Sequence, residues 1–414
     1  MKIAIVSDIH AGMDSVAQDL CPRELLRTEQ DSIVYSNKQE DYIDTFLQFV
    51  KDAKLSADYI LVPGDVTDRA HPMEAKLASE CLQKIGDALS VPNNKILFVP
   101  GNHDASWHLH DIADKTGIMW SHRYIALRSD QFIFSEINEN AEIGNLFEKD
   151  YFSLWRYDDV IVVGYNSANA ELPSDEVKSG NIIEEHLQAM EKVFKELEIK
   201  SESKLKIFML HHHLHDFKAP KGSKHDYSLA QNGESLITLL RKFKFDFIVH
   251  GHRHYSCFDA QNCALPIFCS GSFSAQIGTE WAREVSNQFH IIEINEKRIK
   301  KHICGVIQSW SNTLGGWEPS PTLRNRPIVG YQRAFGFSLD DEYVSQEVRK
   351  IITTLAHEKM RFSWREEVVP NIPYLKYLCQ SRDDILEWCQ DGLLSSSEWD
   401  VFAKEDDDVF FCKK

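Results

Sequence analysis

Five short stretches hold most of the residues able to do chemistry. They are Asp8-Ile9-His10, Gly64-Asp65-Val66-Thr67-Asp68, Gly101-Asn102-His103-Asp104, His211-His212-His213 and His250-Gly251-His252-Arg253-His254. Carboxylate, imidazole and amide oxygen, with no thiolate among them, form a donor set for divalent Mn, Fe, Zn, Ni or Co. A carboxylate oxygen can bridge two such ions about 3.5–4 Å apart, and two ions so placed clamp the attacking and leaving oxygens of a phosphoryl transfer. The alternation His252-x-His254 lets two imidazoles leave one short turn toward neighbouring ions. Gly64, Gly101 and Gly251 permit sharp exits that aim the next side chain. Taken singly each stretch says little: an isolated Asp-x-His is common on surfaces, and the His triplet alone reads as a polar loop.

The elements that precede these stretches give them a common address. Short apolar runs, rich in β-branched and aromatic residues, cover Ile3–Val6, Tyr59–Val62, Ile96–Val99, Val160–Val163, Ile207–Leu210 and Phe247–Val249. Their length and composition predict buried strands. Between them, residues 38–53 (with Tyr42, Phe46, Phe49 and Val50), 74–90, 184–198 and 232–244 show helical spacing of apolar side chains. Strands alternating with helices predict a layered α/β fold. Five of the strand ends lead directly into the five stretches, and in open α/β sheets ligands bind outside the carboxyl ends of the strands. Residues 265–274 and 288–307 read as consecutive strands completing a sheet.

The order of these blocks resembles the calcineurin-like metallophosphoesterases, whose signature runs DxH, GDxxD, GNH[D/E], a later His after a strand, and GHxH. The resemblance covers roughly residues 1–300 and implies a layered β-sandwich flanked by helices. It implies that Asp8, His10 and His254 hold one divalent metal ion, that Asn102, His211 and His252 hold the other, and that Asp65 bridges them. Manganese is the favoured occupant among Mn, Fe, Zn and Ni. His103 is similar to the histidine that contacts the phosphate, beside Asn102, and protonates the leaving group, and Asp104 is the expected orienter of His103. Asp68 reads as a supporting or loop-capping residue. His212 and Arg253 are the remaining candidates to touch substrate. His250, His108, His110, His122, His215 and His225 read as bystanders. The implied reaction is hydrolysis of a small phosphodiester, by attack of a hydroxide bridging the two ions. A DNA or RNA nuclease and a non-catalytic scaffold on the same fold are the alternatives.

The bulk properties narrow the field further. The chain has 414 residues, 46 Lys and Arg against 63 Asp and Glu, and a net charge of -17. That balance repels a phosphate backbone and speaks against a broad nucleic-acid platform. A small anionic substrate stays compatible, because bound cations dominate their own site. Nine cysteines occur without CxxC spacing, an odd number that argues against a disulfide framework. The first residues read as a strand rather than a leader, and no apolar run is long enough to cross a bilayer, so a cytoplasmic location is expected.

The predicted organisation is a catalytic domain over 1–307, a linker or wrapping segment over the Gly/Pro/Ser/Asn-rich residues 308–330, and a helical C-terminal extension over 331–414. Val344, Val348, Ile351, Ile352 and Leu355 mark one apolar helix face in that extension. Ser381 with Asp384 and Ser395 with Glu398 are capping-box patterns predicted to open two short helices. The extension's apolar faces, with Trp388 and Trp399, serve either packing or association with a partner or a second copy. The acidic run 405–408 reads as a solvated tail.

Overall fold

The computed structural model describes residues 1–106, 123–129, 132, 141–147, 151–169, 179–215, 229–259, 265–278, 285–295, 297–321, 329–391, 394–395, 397–403 and 408–414. His108, His110, His122, His225 and most of the acidic run lie outside them. The chain divides into two compact units. The first comprises Met1–Asp259, Leu265–Ile292 and Gln308–Tyr331, and the second contains Glu293–Ile307 and Gln332–Lys414.

In the first unit, strands β1 (Lys2–Ile5), β2 (Tyr59–Val62) and β3 (Ile96–Phe98) run parallel. Then β4 (Ile143–Gly144), β5 (Phe152–Arg156), β6 (Val160–Tyr165), β7 (Leu205–Met209), β8 (Phe247–His250), β9 (Cys257–Asp259) and β10 (Ile267–Cys269) form a second sheet in the order β4-β5-β6-β7-β8-β10-β9. Within it β6, β7, β8 and β10 are parallel. The chain then returns to the first sheet through β11 (Gln288–Ile294), β12 (Gly305–Thr313) and β13 (Gly316–Pro319), giving the order β13-β12-β11-β1-β2-β3. All six apolar runs predicted as strands are strands, nearly every residue buried, as expected for parallel sheets covered on both faces. The sheets approach closely: a Cβ at Gly164 of β6 would fall 2.7 Å from Val99 Cγ1.

The helices are α1 (Glu29–Ser36), α2 (Tyr42–Asp52), α3 (Pro72–Leu89), α4 (Glu184–Glu196) and α5 (Gly233–Lys242). From α2, Phe46 packs edge-on against Phe273 and Phe289, with centroids 4.9 Å away in each case, and against Trp317 at 5.0 Å. On the second sheet, Leu187, Met190 and Phe194 of α4 join Leu236, Ile237 and Leu240 of α5 over Ile161, Val163, Phe208 and Ile248. The result is the predicted α/β architecture, a layered sandwich flanked by helices. The eight described cysteines are free thiols, and all but Cys412 are buried.

The domain limits differ from the predicted ones. Residues 308–321 continue strand β12 and form β13 in place of a linker. Aromatic side chains explain this: Trp310 stacks on Phe289 at 5.8 Å, and Trp317 closes over Phe46 and Phe49, so the passage buries too much ring surface to be a connection. Residues 293–307, predicted to lie in the catalytic domain, belong instead to the second unit, where Cys304 enters the core.

The second unit has its own core, built on α6 (Glu342–Glu358) and α7 (Arg382–Gln390). Val344, Val348, Ile352 and Leu355 are buried along α6, Ile351 is partly buried, and Ser381 and Asp384 form the capping box of α7 as predicted. The second capping pattern opens no helix. Ser395 and Glu398 make a tight turn, Glu398 N to Ser395 O at 3.0 Å, that leads into a strand at Trp399–Ala403. This strand pairs with Val409–Lys413, which also pairs with Arg361–Ser363, so the unit adds a three-stranded sheet to its helices. Phe362 stacks on Phe411 at 4.5 Å, and the β-branched and aromatic content of 399–403 and 409–413 favours that sheet. Trp399 is buried in this core, and Trp388 lies partly buried against it with Arg349 over its ring.

Candidate metal centre

Everything the sequence singled out as a ligand lies in the first unit, on turns that follow β1, β2, β3, β7 and β8. Those turns are backbones under constraint. Asp8, His10, Asp65, His252 and His254 all have left-handed φ, between 49° and 75°, a region that non-glycine residues enter rarely and mostly where function holds them. Gly64 has φ +97°, where only glycine is at ease, and a Cβ there would lie 2.5 Å from His211 Nδ1. At Gly251 the reason is space: a Cβ would meet Ser7 Oγ at 2.1 Å and Asp8 Oδ2 at 2.6 Å.

Three groups of candidate donor atoms occur among the described residues. His10, Asp68 and His103 make up a small one, and the other two meet at Asp65. Asp8, His10, Asp65 and His254 form one, with ligand atoms all within 4.8 Å. His10 Nε2 lies 3.2 Å from His254 Nε2 and 3.6 Å from Asp65 Oδ2, and His254 Nε2 lies 3.5 Å from Asp8 Oδ1. The other gathers on His211 Nε2, which has His252 Nδ1 at 3.0 Å, Asn102 Oδ1 at 3.2 Å and Asp65 Oδ2 at 3.2 Å. Atoms bound at about 2.1 Å around one ion, at right angles, stand about 3.0 Å apart, so these separations suit shared cations. Asp65 belongs to both groups, as a bridging carboxylate must. His211 Nδ1 donates to Pro63 O at 2.7 Å, which leaves the Nε2 lone pair of the neutral ring for a metal. Asp8 is held by Ser7 Oγ at 2.5 Å and by the His252 N–H at 3.1 Å.

The electrostatics support the same assignment. Burial lowers the basicity of His10 and His252, and brings His254 down to about 4, so these rings are neutral and able to ligate. Burial pushes Asp65 up, but His211, His103 and His10 beside it hold it well below the usual carboxylate range. Asp8 is raised to about 7 by burial. Burial disfavours charge on His211 and His103, yet Asp65, joined by Asp8 and the Pro63 carbonyl at His211 and by Asp68 at His103, outweighs it and raises them to about 9 and about 10. Two buried carboxylates thus require positive charge from somewhere, and divalent ions held there would supply it.

The orienter of His103 is not Asp104. The carboxylate of Asp104 is engaged by the N–H groups of Gly101 at 2.8 Å and Thr67 at 2.9 Å and by Thr67 Oγ1 at 2.9 Å, so it staples the two loops together. His103 Nδ1 instead donates to Asp68 O at 2.8 Å, with Asp68 Oδ1 at 3.8 Å. Asp68 also accepts from Met13 N and Asp14 N, fixing the loop after β1. Its position three residues after Asp65 allows this, since the chain turns back toward the loop carrying His103. Arg253, a candidate to touch substrate, is turned into the fold. It is buried, with Nη1 3.3 Å from His213 Nε2 and its guanidinium over the Tyr255 ring. Sequence reasoning missed Ser167, on the turn after β6, whose hydroxyl meets His211 and His212. No spacing signal marks a lone serine.

Comparison with known proteins agrees with this geometry. The model of the calcineurin-like phosphoesterase family matches residues 1–256, so the chain belongs to that family. Its fold is similar to that of a dimetal phosphatase from Danio rerio, at 13% identity over 75% of this chain and 95% of the other, with a TM-score of 0.43. It is also similar to purple acid phosphatase PPD1 from yellow lupin seeds, at 15% identity over 77% and 52% of the two chains and a TM-score of 0.42. A third similar structure is the Plasmodium GAP50 anchor of the inner membrane complex, at 12% identity, 76% and 85% coverage and a TM-score of 0.36. No curated protein matches the chain. No helix among the described residues is long and apolar enough to cross a membrane.

Proposed function

We propose that this chain hydrolyses a phosphate ester with two divalent ions, and that its substrate is a small phosphodiester. The observation that carries the first part is the convergence of two carboxylates, four imidazoles and one amide oxygen on two positions that share Asp65. Asp8, His10 and His254 would hold one ion, Asn102, His211 and His252 the other. Ions held there would supply charge neutralisation at the phosphoryl group and a water acidic enough to be a nucleophile near neutral pH. Manganese, iron, zinc and nickel all suit this donor set, and manganese is the occupant we favour.

The protein's own part is positioning and proton delivery. His103 is one-quarter exposed beside His10, with ring centroids 4.6 Å apart, so it faces the centre without being sealed from solvent. Asp68 fixes its ring through Nδ1, and Asp65 favours its charged form, so Nε2 carries the proton given to the leaving oxygen. The diester preference rests on the spacing of the motif blocks, which resembles the cyclic-nucleotide and glycerophosphodiester phosphodiesterase branch.

A metal-supplemented panel tests both parts, comparing bis-p-nitrophenyl phosphate, cyclic mononucleotides, glycerophosphodiesters, phosphomonoesters, and single- and double-stranded DNA and RNA. Metal-dependent turnover with diesters ahead of monoesters is expected. Faster cleavage of nucleic acid replaces the small-substrate reading with the nuclease one, and no turnover of any ester sinks the proposal.

A further inference from the structure

His212 follows a ligand directly and sits among ligands. It is buried, its ring centroid is 5.0 Å from that of His211 and 4.5 Å from that of His252, and one of its nitrogens lies within 4.8 Å of the ligand atoms of both. By position alone it would count as one more metal ligand. Hydrogen-bond accounting at Ser167 argues otherwise. The Ser167 hydroxyl has three partners: the N–H of His211 at 3.3 Å, the N–H of His212 at 3.1 Å, and His212 Nδ1 at 2.9 Å. A serine hydroxyl accepts twice and donates once. The two backbone N–H groups can only donate, so they take both lone pairs. The hydroxyl proton then goes to Nδ1, and the neutral His212 ring carries its own proton on Nε2. A protonated ring nitrogen cannot bind a metal, but it can donate to an oxyanion.

We propose that His212 is a neutral Nε2–H donor to a phosphoryl oxygen beside the His211–His252 ion, with its tautomer set by Ser167, and is not a metal ligand. The inference rests on the phosphoester reading above. It also assigns Ser167 a role, that of a positioning residue acting through His212.

The test uses the full chain loaded with zinc, with inorganic phosphate as the probe. Metal content by mass spectrometry, phosphate affinity by calorimetry, and the His212 tautomer by NMR of 15N-histidine-labelled protein are read together. His212→Leu is expected to keep two ions and weaken phosphate binding about 10- to 100-fold, the range for a hydrogen bond to a charged group. His212→Gln, which keeps an N–H donor, is expected to stay near the wild type. If His212→Leu fails to fold, Ser167→Ala serves: it frees the tautomer and is expected to weaken phosphate binding while both ions remain. Loss of one ion in His212→Leu, unchanged phosphate binding in a folded variant, or an Nδ1–H tautomer in the wild type overturns the inference alone. A wild type that binds neither zinc nor phosphate takes the phosphoester reading down with it.

Discussion

The two halves of the proposed metal centre are not equivalent. The half built on Asp8, His10, Asp65 and His254 has two carboxylates to two imidazoles, whereas the half built on Asn102, His211 and His252 has neutral donors apart from the shared Asp65. Charge follows donor type: a carboxylate-rich site holds a hard cation by Coulomb attraction, while an imidazole-rich one suits borderline ions and is sensitive to protons. The difference teaches that the two ions are expected to bind with unequal strength and to leave in order.

The largest expected effect comes from erasing what the halves share. Asp65→Ala removes an anionic ligand from both, and hydrolysis of bis-p-nitrophenyl phosphate should fall by about a thousandfold or more with loss of both ions; near-normal turnover would refute the bridging role. His252→Ala should strip only the neutral half, leaving one ion per chain and activity down by about a hundredfold or more. If mass spectrometry finds two ions in that variant, the division into halves is wrong. Asp68→Asn keeps the main-chain oxygen that accepts from His103 Nδ1 but removes the carboxylate charge 3.8 Å from it, and should lower turnover of alkyl esters about 10- to 100-fold. Esters with a nitrophenolate leaving group, which need no proton, should be affected much less, and equal losses for both would break the assignment. Titration with a chelator should remove the ions in two steps, the neutral half first, followed by metal analysis of dialysed samples.

A control lies away from the centre, where the expected effect on catalysis is smallest. His290 is fully buried, accepts from Gly271 N at 3.2 Å and faces Ser309 Oγ at 2.8 Å, and burial lowers it to about 3. The folded state therefore resists protonation that the unfolded state accepts below about 6.5. Stability from this group is present above that value and is lost as the pH falls toward 3, at up to about 1.4 kcal/mol per pH unit. Denaturant midpoints of His290→Gln should depend less on pH in that window than those of the wild type. An unchanged slope would show that another group controls acid stability.

Much of this was legible in the sequence because its signals were local. A strand of four apolar residues ending in Asp-x-His or Gly-His-x-His places its donors by chain direction alone, and α2, α3, α4 and α5 follow from periodicity. What escaped depended on contacts between distant segments. Asp104 adjoins His103 in sequence, yet its carboxylate is consumed by the Gly101 and Thr67 N–H groups, and the role expected of it falls to Asp68 from another loop. Trp310 and Trp317 turned a passage rich in turn formers into strands because their partners, Phe46, Phe49 and Phe289, lie far along the chain. Ser167 had no local mark at all.

The left-handed backbone at Asp8, His10, Asp65, His252 and His254 has a consequence for how such a chain drifts. Each of these residues holds a conformation that costs on the order of 1 kcal/mol relative to an ordinary one. Replacing any of them with glycine relieves that cost while removing a metal donor. At Asp8 and Asp65 that relief is opposed, because their carboxylates accept the His252 and His103 N–H groups. Under relaxed selection, glycine at His10, His252 or His254 would exchange a proposed metal donor for a less strained backbone.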